Sequence, residues 1–192
     1  MPSPIGHALA GLAIGFVAEP TPKQAPASVG ASRSAYALVG ATVAAIPDAD
    51  LLYPPWHRGI SHSIGATIIL MIISMAVTGW VTGRIQWRWV LLVGAAHASH
   101  ILTDWLGTDQ YAPPGLEALW PFSHRFYISG WDLFPPTERR LWLPTALMTD
   151  VHAAITEIAI VGPVTALAWL TTRKRRSPGR TSARDGPPRP SA

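Results

Sequence analysis

The residues of this chain best suited to chemistry are histidines and aspartates at short spacings. His97, His100 and Asp104 follow one another in steps of three and four, which places them within about 60° of one another on a helix. A His-x-x-x-Asp pair on one helical stripe offers an imidazole nitrogen and a carboxylate oxygen to a common point, a donor set that zinc-like cations take. Upstream, Pro47-Asp48-Ala49-Asp50 places two carboxylates behind an apolar stretch, and His57-Arg58-Gly59-Ile60-Ser61-His62-Ser63 adds two histidines. His57 and His62 would face different ways on one helix, but in a loop closed by an N-cap at Ser61 both can reach a cation. His7 begins the first apolar segment. Plainer readings stand beside these. Asp48 and Asp50 suit a turn after the helix-breaking Pro47, and His100 with Asp104 suits an interhelical hydrogen bond. His97 suits packing or support of a ligand. His124 and His152 lie in or beside a long loop, and Glu157 sits inside an apolar segment where it needs a partner. There is no cysteine, so thiolate metal sites, cysteine nucleophiles and disulfides are excluded.

The elements that must position these groups read as membrane helices. The 192 residues suit one domain. Hydrophobic residues make up 48% and charged residues 14%, against about 25% charged in a soluble domain. Mean hydropathy is +0.22. Such a composition argues against a freely soluble chain and against disorder. Ile64 to Gly83 holds no charge in 20 positions, which makes about 30 Å of helix, the thickness of a bilayer core. Two further spans are expected at Trp89 to Leu106 and Ala153 to Thr172. The shorter stretches Ile5 to Ala18 and Ala35 to Ile46 would bring the membrane-embedded helices to five. The expected fold is an all-α integral membrane bundle over residues 1–172, with a loop at 107–150 and a connecting loop at Glu19 to Ser34. No basic residue precedes the first apolar run, and no cleavage pattern follows it, so that segment reads as retained. Residues 173–192, rich in Pro, Arg and Ser, read as a disordered tail.

A sequence pI near 10.0 would suit nucleic acid only if the charge were spread over a folded surface. Seven of the 15 Lys and Arg lie in the tail with one acid, Asp185, so the tail carries +6 and the rest of the chain −2. No nucleic-acid partner is expected. The cluster instead marks a cytoplasmic end. With the tail inside, the Arg84–Arg88 turn and the loop holding Lys23 and Arg33 also fall inside, so 11 of 15 basic residues are cytoplasmic. Trp80, Trp87, Trp89 and Trp169 then mark the inner interface, and Trp56, Trp105, Trp120, Trp131 and Trp142 the outer one. On this topology His7, Asp48, Asp50, His57, His62, His100 and Asp104 gather at the outer face.

Taken in order, Pro4-Ile5-Gly6-His7-Ala8-Leu9-Ala10-Gly11, Pro47-Asp48-Ala49-Asp50, His57 to Ser63, His100-Ile101-Leu102-Thr103-Asp104-Trp105 and Trp120-Pro121-Phe122-Ser123 resemble the bacterial and archaeal membrane-bound metal-dependent hydrolases. That inner-membrane family is distantly similar to zinc-dependent phospholipase C, an all-helical fold with His and Asp ligands. The resemblance covers about residues 2 to 127. It implies His7, Asp48, Asp50, His57, His62, His100 and Asp104 as metal ligands, and it leaves His97 and His124 unassigned. The late His-x-x-x-Glu pair of the phospholipases has no match, because His152 and Glu157 are wrongly spaced.

The expected activity is hydrolysis of a phosphoester or ester of a lipid-like, amphiphilic substrate. One or two divalent ions, with zinc expected, would activate water. Asp48 or Asp50 would bridge metals or take the proton, and Arg58 and Arg125 would stabilise developing negative charge. Two rivals remain open. One is a non-catalytic metal-binding membrane protein, a transport accessory or regulatory partner. The other is a transporter that uses intramembrane His and Asp as a proton path.

Overall fold

The computed structural model describes residues 1–20, 33–52, 57–140 and 142–176. Most of the Glu19–Ser34 loop, Lys23, Trp56 and the tail beyond 176 lie outside the described residues. Within the described residues five α-helices follow in order: α1 (Pro4–Ala18), α2 (Arg33–Ala45), α3 (Ile64–Thr82), α4 (Trp87–Leu106) and α5 (Ala146–Arg176). Two 3-10 turns, Ile46–Leu52 and Ile60–His62, precede α3. Among the described residues there is no strand.

Local chemistry sets the helix ends. Ser3 caps α1, its hydroxyl accepting from the Ile5 amide at 3.2 Å, with Pro4 in the first turn where no N–H is needed. Ser63, not Ser61, caps α3, accepting from the Ala66 amide at 3.0 Å. Gly83 ends α3 in the left-handed region, φ 74°. The helix α2 begins at Arg33, so Arg33 and Ser34 are helical and not part of the connecting loop. The helix α5 runs on to Arg176, four residues into the expected tail.

Among the described residues two helices, α3 and the Ala146–Lys174 part of α5, are long and apolar enough to cross a membrane, against an expectation of three to five. At 15 and 13 residues, α1 and α2 reach about 20 Å, well short of a bilayer core. The expected second span, α4, is 20 residues long, but its inner face carries His97, His100 and Asp104, all buried, and Arg88 stands in its first turn. It is the hub of the bundle and touches α1, α2 and α3. Only 6% of the α3 window is buried, so α3 forms an outward wall.

Packing between α1 and α2 is backbone on backbone. A Cβ on Gly11 would run into the Gly40 carbonyl, and one on Gly40 into the Gly11 carbonyl. Small residues at both positions let the two helices approach this closely. The helix α1 lies antiparallel to α4, since the Arg88 Nη1 donates to the Ala18 carbonyl at 3.3 Å while His7 meets Thr103. In α5, Glu157 meets the start of α1 and Thr165 donates to the Leu9 carbonyl at 2.9 Å. The chemistry-bearing residues therefore share the end formed by the starts of α1 and α3 and the close of α4. Gly40→Val should force these helices apart and cost about 2 kcal/mol, read as a lowered midpoint of thermal unfolding in detergent; an unchanged midpoint would contradict the close packing.

Candidate metal centre

Four segments deliver ligand atoms to one point. The first turn of α1 brings His7, the turn after α2 brings Asp48, the turn before α3 brings His62, and the last turns of α4 bring His100 and Asp104. Asp104 stands nearest to all three rings: its Oδ1 lies 3.3 Å from His7 Nε2, and its Oδ2 lies 3.5 Å from His62 Nε2 and 3.2 Å from His100 Nε2. Asp48 stands slightly further back, at 3.8, 3.9 and 4.0 Å from the same three nitrogens. Donors about 2.0–2.1 Å from a tetrahedral zinc sit roughly 3.3 Å from each other. Two groups of three, His7 with Asp48 and His100, and His62 with His100 and Asp104, fall within metal-binding reach.

The remaining nitrogen of each ring fixes its tautomer. His100 Nδ1 faces the Ala44 carbonyl at 2.7 Å. A carbonyl only accepts, so that nitrogen carries the proton and Nε2 is left with a bare lone pair. The Ala44 carbonyl is free for this because it closes α2, where carbonyls have no helical partner. His7 Nδ1 pairs with the Thr103 hydroxyl at 2.9 Å, whose own hydrogen is drawn to the Ser99 and His100 carbonyls at 3.0 Å. His62 Nδ1 faces Asp50 Oδ2 at 3.2 Å. All three Nε2 atoms thus aim into the cluster, each ring held from behind by an oxygen, the support that metal-bound histidines usually have.

His7 Nε2, His62 Nε2, His100 Nε2, Asp48 Oδ2 and both Asp104 oxygens are buried without a hydrogen-bond partner. Each orphan of this kind costs about 1–3 kcal/mol, so six together rival the about 5–15 kcal/mol by which a protein is stable. A divalent cation would give such lone pairs a partner, and the two groups of three fit one. Electrostatics agree. Burial would lower the pKa of His62, but the carboxylates of Asp48, Asp50 and Asp104 around it raise it to about 9. The carboxylates call for positive charge at this place.

Asp50 and His57, also expected as ligands, stand beside these two groups as a pair, His57 Nδ1 to Asp50 Oδ1 at 2.5 Å, and Ser61 Oγ donates to Asp50 Oδ2 at 2.5 Å. Burial pushes the Asp50 carboxyl up, but hydrogen bonds from His57, His62 and Ser61 hold it well below the usual carboxylate range. With His62 they form a third group within metal-binding reach, although His62 Nδ1 is there already engaged by Asp50. The pair lines a cavity of about 550 Å³ with Ser61, Glu117, His124 and Phe126.

Arg58 has a left-handed backbone, φ 67°, and its buried guanidinium pairs with Asp109 and donates to the carbonyls of Tyr111, Pro113 and Gly115. Through Nη1 the guanidinium ties the 109–115 loop to the turn before α3. Arg125 is exposed. His97 supports rather than ligates: Nε2 faces the Ser61 carbonyl at 3.0 Å, and Nδ1 faces the Thr67 hydroxyl at 2.8 Å. His124 is largely exposed at the cavity rim, 3.4 Å from Glu117, and His152 is exposed on α5. Glu157 finds its partners at the start of α1, accepting from the Ser3 amide at 2.7 Å, the Ser3 hydroxyl and the Gly6 amide at 3.0 Å. Thr103 and Asp109 were not singled out from the sequence; Thr103 lies on the His100–Asp104 stripe, and a buried arginine demands an acid.

Fold and site together define an all-helical membrane protein with a buried His/Asp cluster able to hold a divalent metal. The family follows from comparison: the model of the YdjM inner membrane protein family matches residues 1–176, and the chain belongs to that family. No curated protein and no solved structure matches it.

The two shells separate experimentally. His100→Ala with Asp104→Ala should abolish metal retention, whereas Thr103→Val or Asp50→Asn should weaken affinity about 10–100-fold. Elemental analysis and competitive zinc titration of detergent-purified protein measure both. Full retention in the double variant would rule out this centre.

Proposed function

We propose that this protein is a membrane-bound metal-dependent hydrolase acting on a phosphoester or ester of an amphiphilic molecule. The observation that carries the reading is the cluster of orphaned Nε2 and carboxylate atoms lying next to a cavity of ligand size. His7, His62, His100, Asp104 and Asp48 would hold one divalent ion, with zinc the best match to the donor set. When bound, that ion supplies a water acidified toward neutrality and polarisation of the scissile oxygen. Asp50 orients His62 through Nδ1 and holds His57 at the cavity wall. His57 is then the group placed to exchange a proton with whatever the cavity holds, and Glu117 and His124 shape its rim.

One observation favours the non-catalytic rival. Five protein groups around a single point exceed the four of a closed structural zinc site, and catalytic sites keep a position open for water. Asp48, the most distant of the five, is the one whose displacement would open such a position. Hydrolysis decides. The zinc-loaded protein should cleave a chromogenic phosphodiester or carboxylester, and His57→Ala should lose about 100-fold or more of that rate. Inertness of the loaded wild type toward both probes would leave the structural reading.

For orientation, the basic end of α5, Arg173 and Lys174, lies at the opposite end of the bundle from the cluster. Basic residues stay cytoplasmic, so the cluster and the 107–145 loop belong on the outer side. Since the chain lacks cysteine, single cysteines report sidedness. Phe122→Cys should react with a membrane-impermeant maleimide on intact cells, and Lys174→Cys only after permeabilisation; the reverse pattern would invert the assignment.

A further inference from the structure

A second cavity, of about 440 Å³, lies between α3 and α4 at the cluster end of both helices. Ile64, Ala98, Leu102, Trp105, Leu119 and Tyr127 line it, together with Thr67. Ala98, Leu102 and Trp105 form one stripe at steps of four and three, with the small Ala98 leaving the room that a larger side chain would fill. Ile64, Leu102, Trp105 and Leu119 are exposed there, an unusual concentration of apolar surface for water but not for hydrocarbon.

The chemistry of the lining selects the occupant. Its two hydroxyls are already engaged within the protein. Thr67 bonds the Ser63 carbonyl at 3.2 Å and His97 at 2.8 Å, and Tyr127 pairs with Ser123 at 3.0 Å. The rest of the lining is apolar. The groove is bounded by the first turn of α3, a helix long and apolar enough to cross a membrane, and the chain belongs to an inner-membrane family, so the apolar molecule at hand is lipid. Its depth is that of the cluster: Ile64 follows His62 by two residues, and Leu102 and Trp105 interleave with His100 and Asp104. Neighbouring residues of one loop divide the two cavities between them, with Glu117 and Phe126 facing the first and Ala118, Leu119 and Tyr127 the second.

We propose that this groove is an acyl-chain site, seating one chain of a membrane phospholipid so that its polar end lies beside the Asp50–His57 cavity. That the seated lipid is also substrate rests on the hydrolase reading; that the chain seats there does not.

Photolabelling of the full-length protein tests it. Vesicles of dioleoylphosphatidylglycerol and dioleoylphosphatidylethanolamine would carry a trace of phosphatidylethanolamine with a mid-chain diazirine. Labelling should concentrate several-fold in peptides holding residues 98–105 and 118–127 relative to the Ile72–Val77 face of α3. Ala98→Trp should remove that excess without changing zinc content, and Leu119→Gln should do the same from the opposite wall should the first variant fold poorly. Equal labelling of groove and α3 face, or labelling indifferent to both variants, would overturn the proposal. Because no turnover is read, a labelled groove in an inert protein supports the site and removes only the hydrolase reading. Hydrolysis with an unlabelled groove does the converse.

Discussion

The structure turns on one electrostatic constraint, the placing of three imidazole nitrogens and two carboxylates in one dehydrated space. Such a group is unfavourable until a cation joins it, because buried lone pairs with no donor cost desolvation energy that nothing nearby returns. The chain invests in holding the atoms there regardless. Each ring is fixed from behind by an oxygen of a different element: a carbonyl at the close of α2, a hydroxyl on α4, a carboxylate in the turn after α2. Orientation is thus set before any ion arrives, and little conformational freedom remains to be lost on binding.

The bundle serves that orientation. His7 sits one turn into α1, so its position depends on where α1 begins. Glu157 decides this by accepting from Ser3 and Gly6 at the positive end of the helix. A Cβ at position 6 would press on that carboxylate, and glycine leaves room for it. The Gly11–Gly40 contact then locks α1 to α2, which carries the Ala44 carbonyl and leads directly into Asp48. A buried acid far down the sequence and a pair of glycines without chemistry of their own thereby determine the position of two ligands.

What the sequence revealed depended on whether a contact is local. His100 and Asp104 were legible because a single helix period brings them to 3.2 Å, and the apolar run of α3 was legible from length alone. The cap at Ser63 in place of Ser61 shifted the turn by two residues, which leaves His62 facing the cluster and His57 beside it. The Arg58–Asp109 pair was beyond the sequence because the two residues stand fifty-one positions apart, the acid on an irregular loop that no periodicity marks. For α4, a count of apolar residues suggested a span, whereas its polar residues share one face and turn inward. Partners such as Ala44 and Glu157 were out of reach altogether, since a backbone carbonyl has no sequence signal and a lone acid names no partner.

That departure of α4 explains the level at which the site lies. A helix wholly suited to lipid could not carry His100 and Asp104, and a helix wholly suited to water would not present Leu102 and Trp105 outward. With both faces used over the same two turns, the ligand-bearing and apolar surfaces lie at one level on opposite sides of one element. Shielding follows from the same geometry, because α1, α2 and the turn before α3 enclose the ionisable face while the apolar face meets the outer wall. The two short helices α1 and α2 are therefore no failed spans; their brevity lets their ends, with the free carbonyls and amides found only there, close around the ligands.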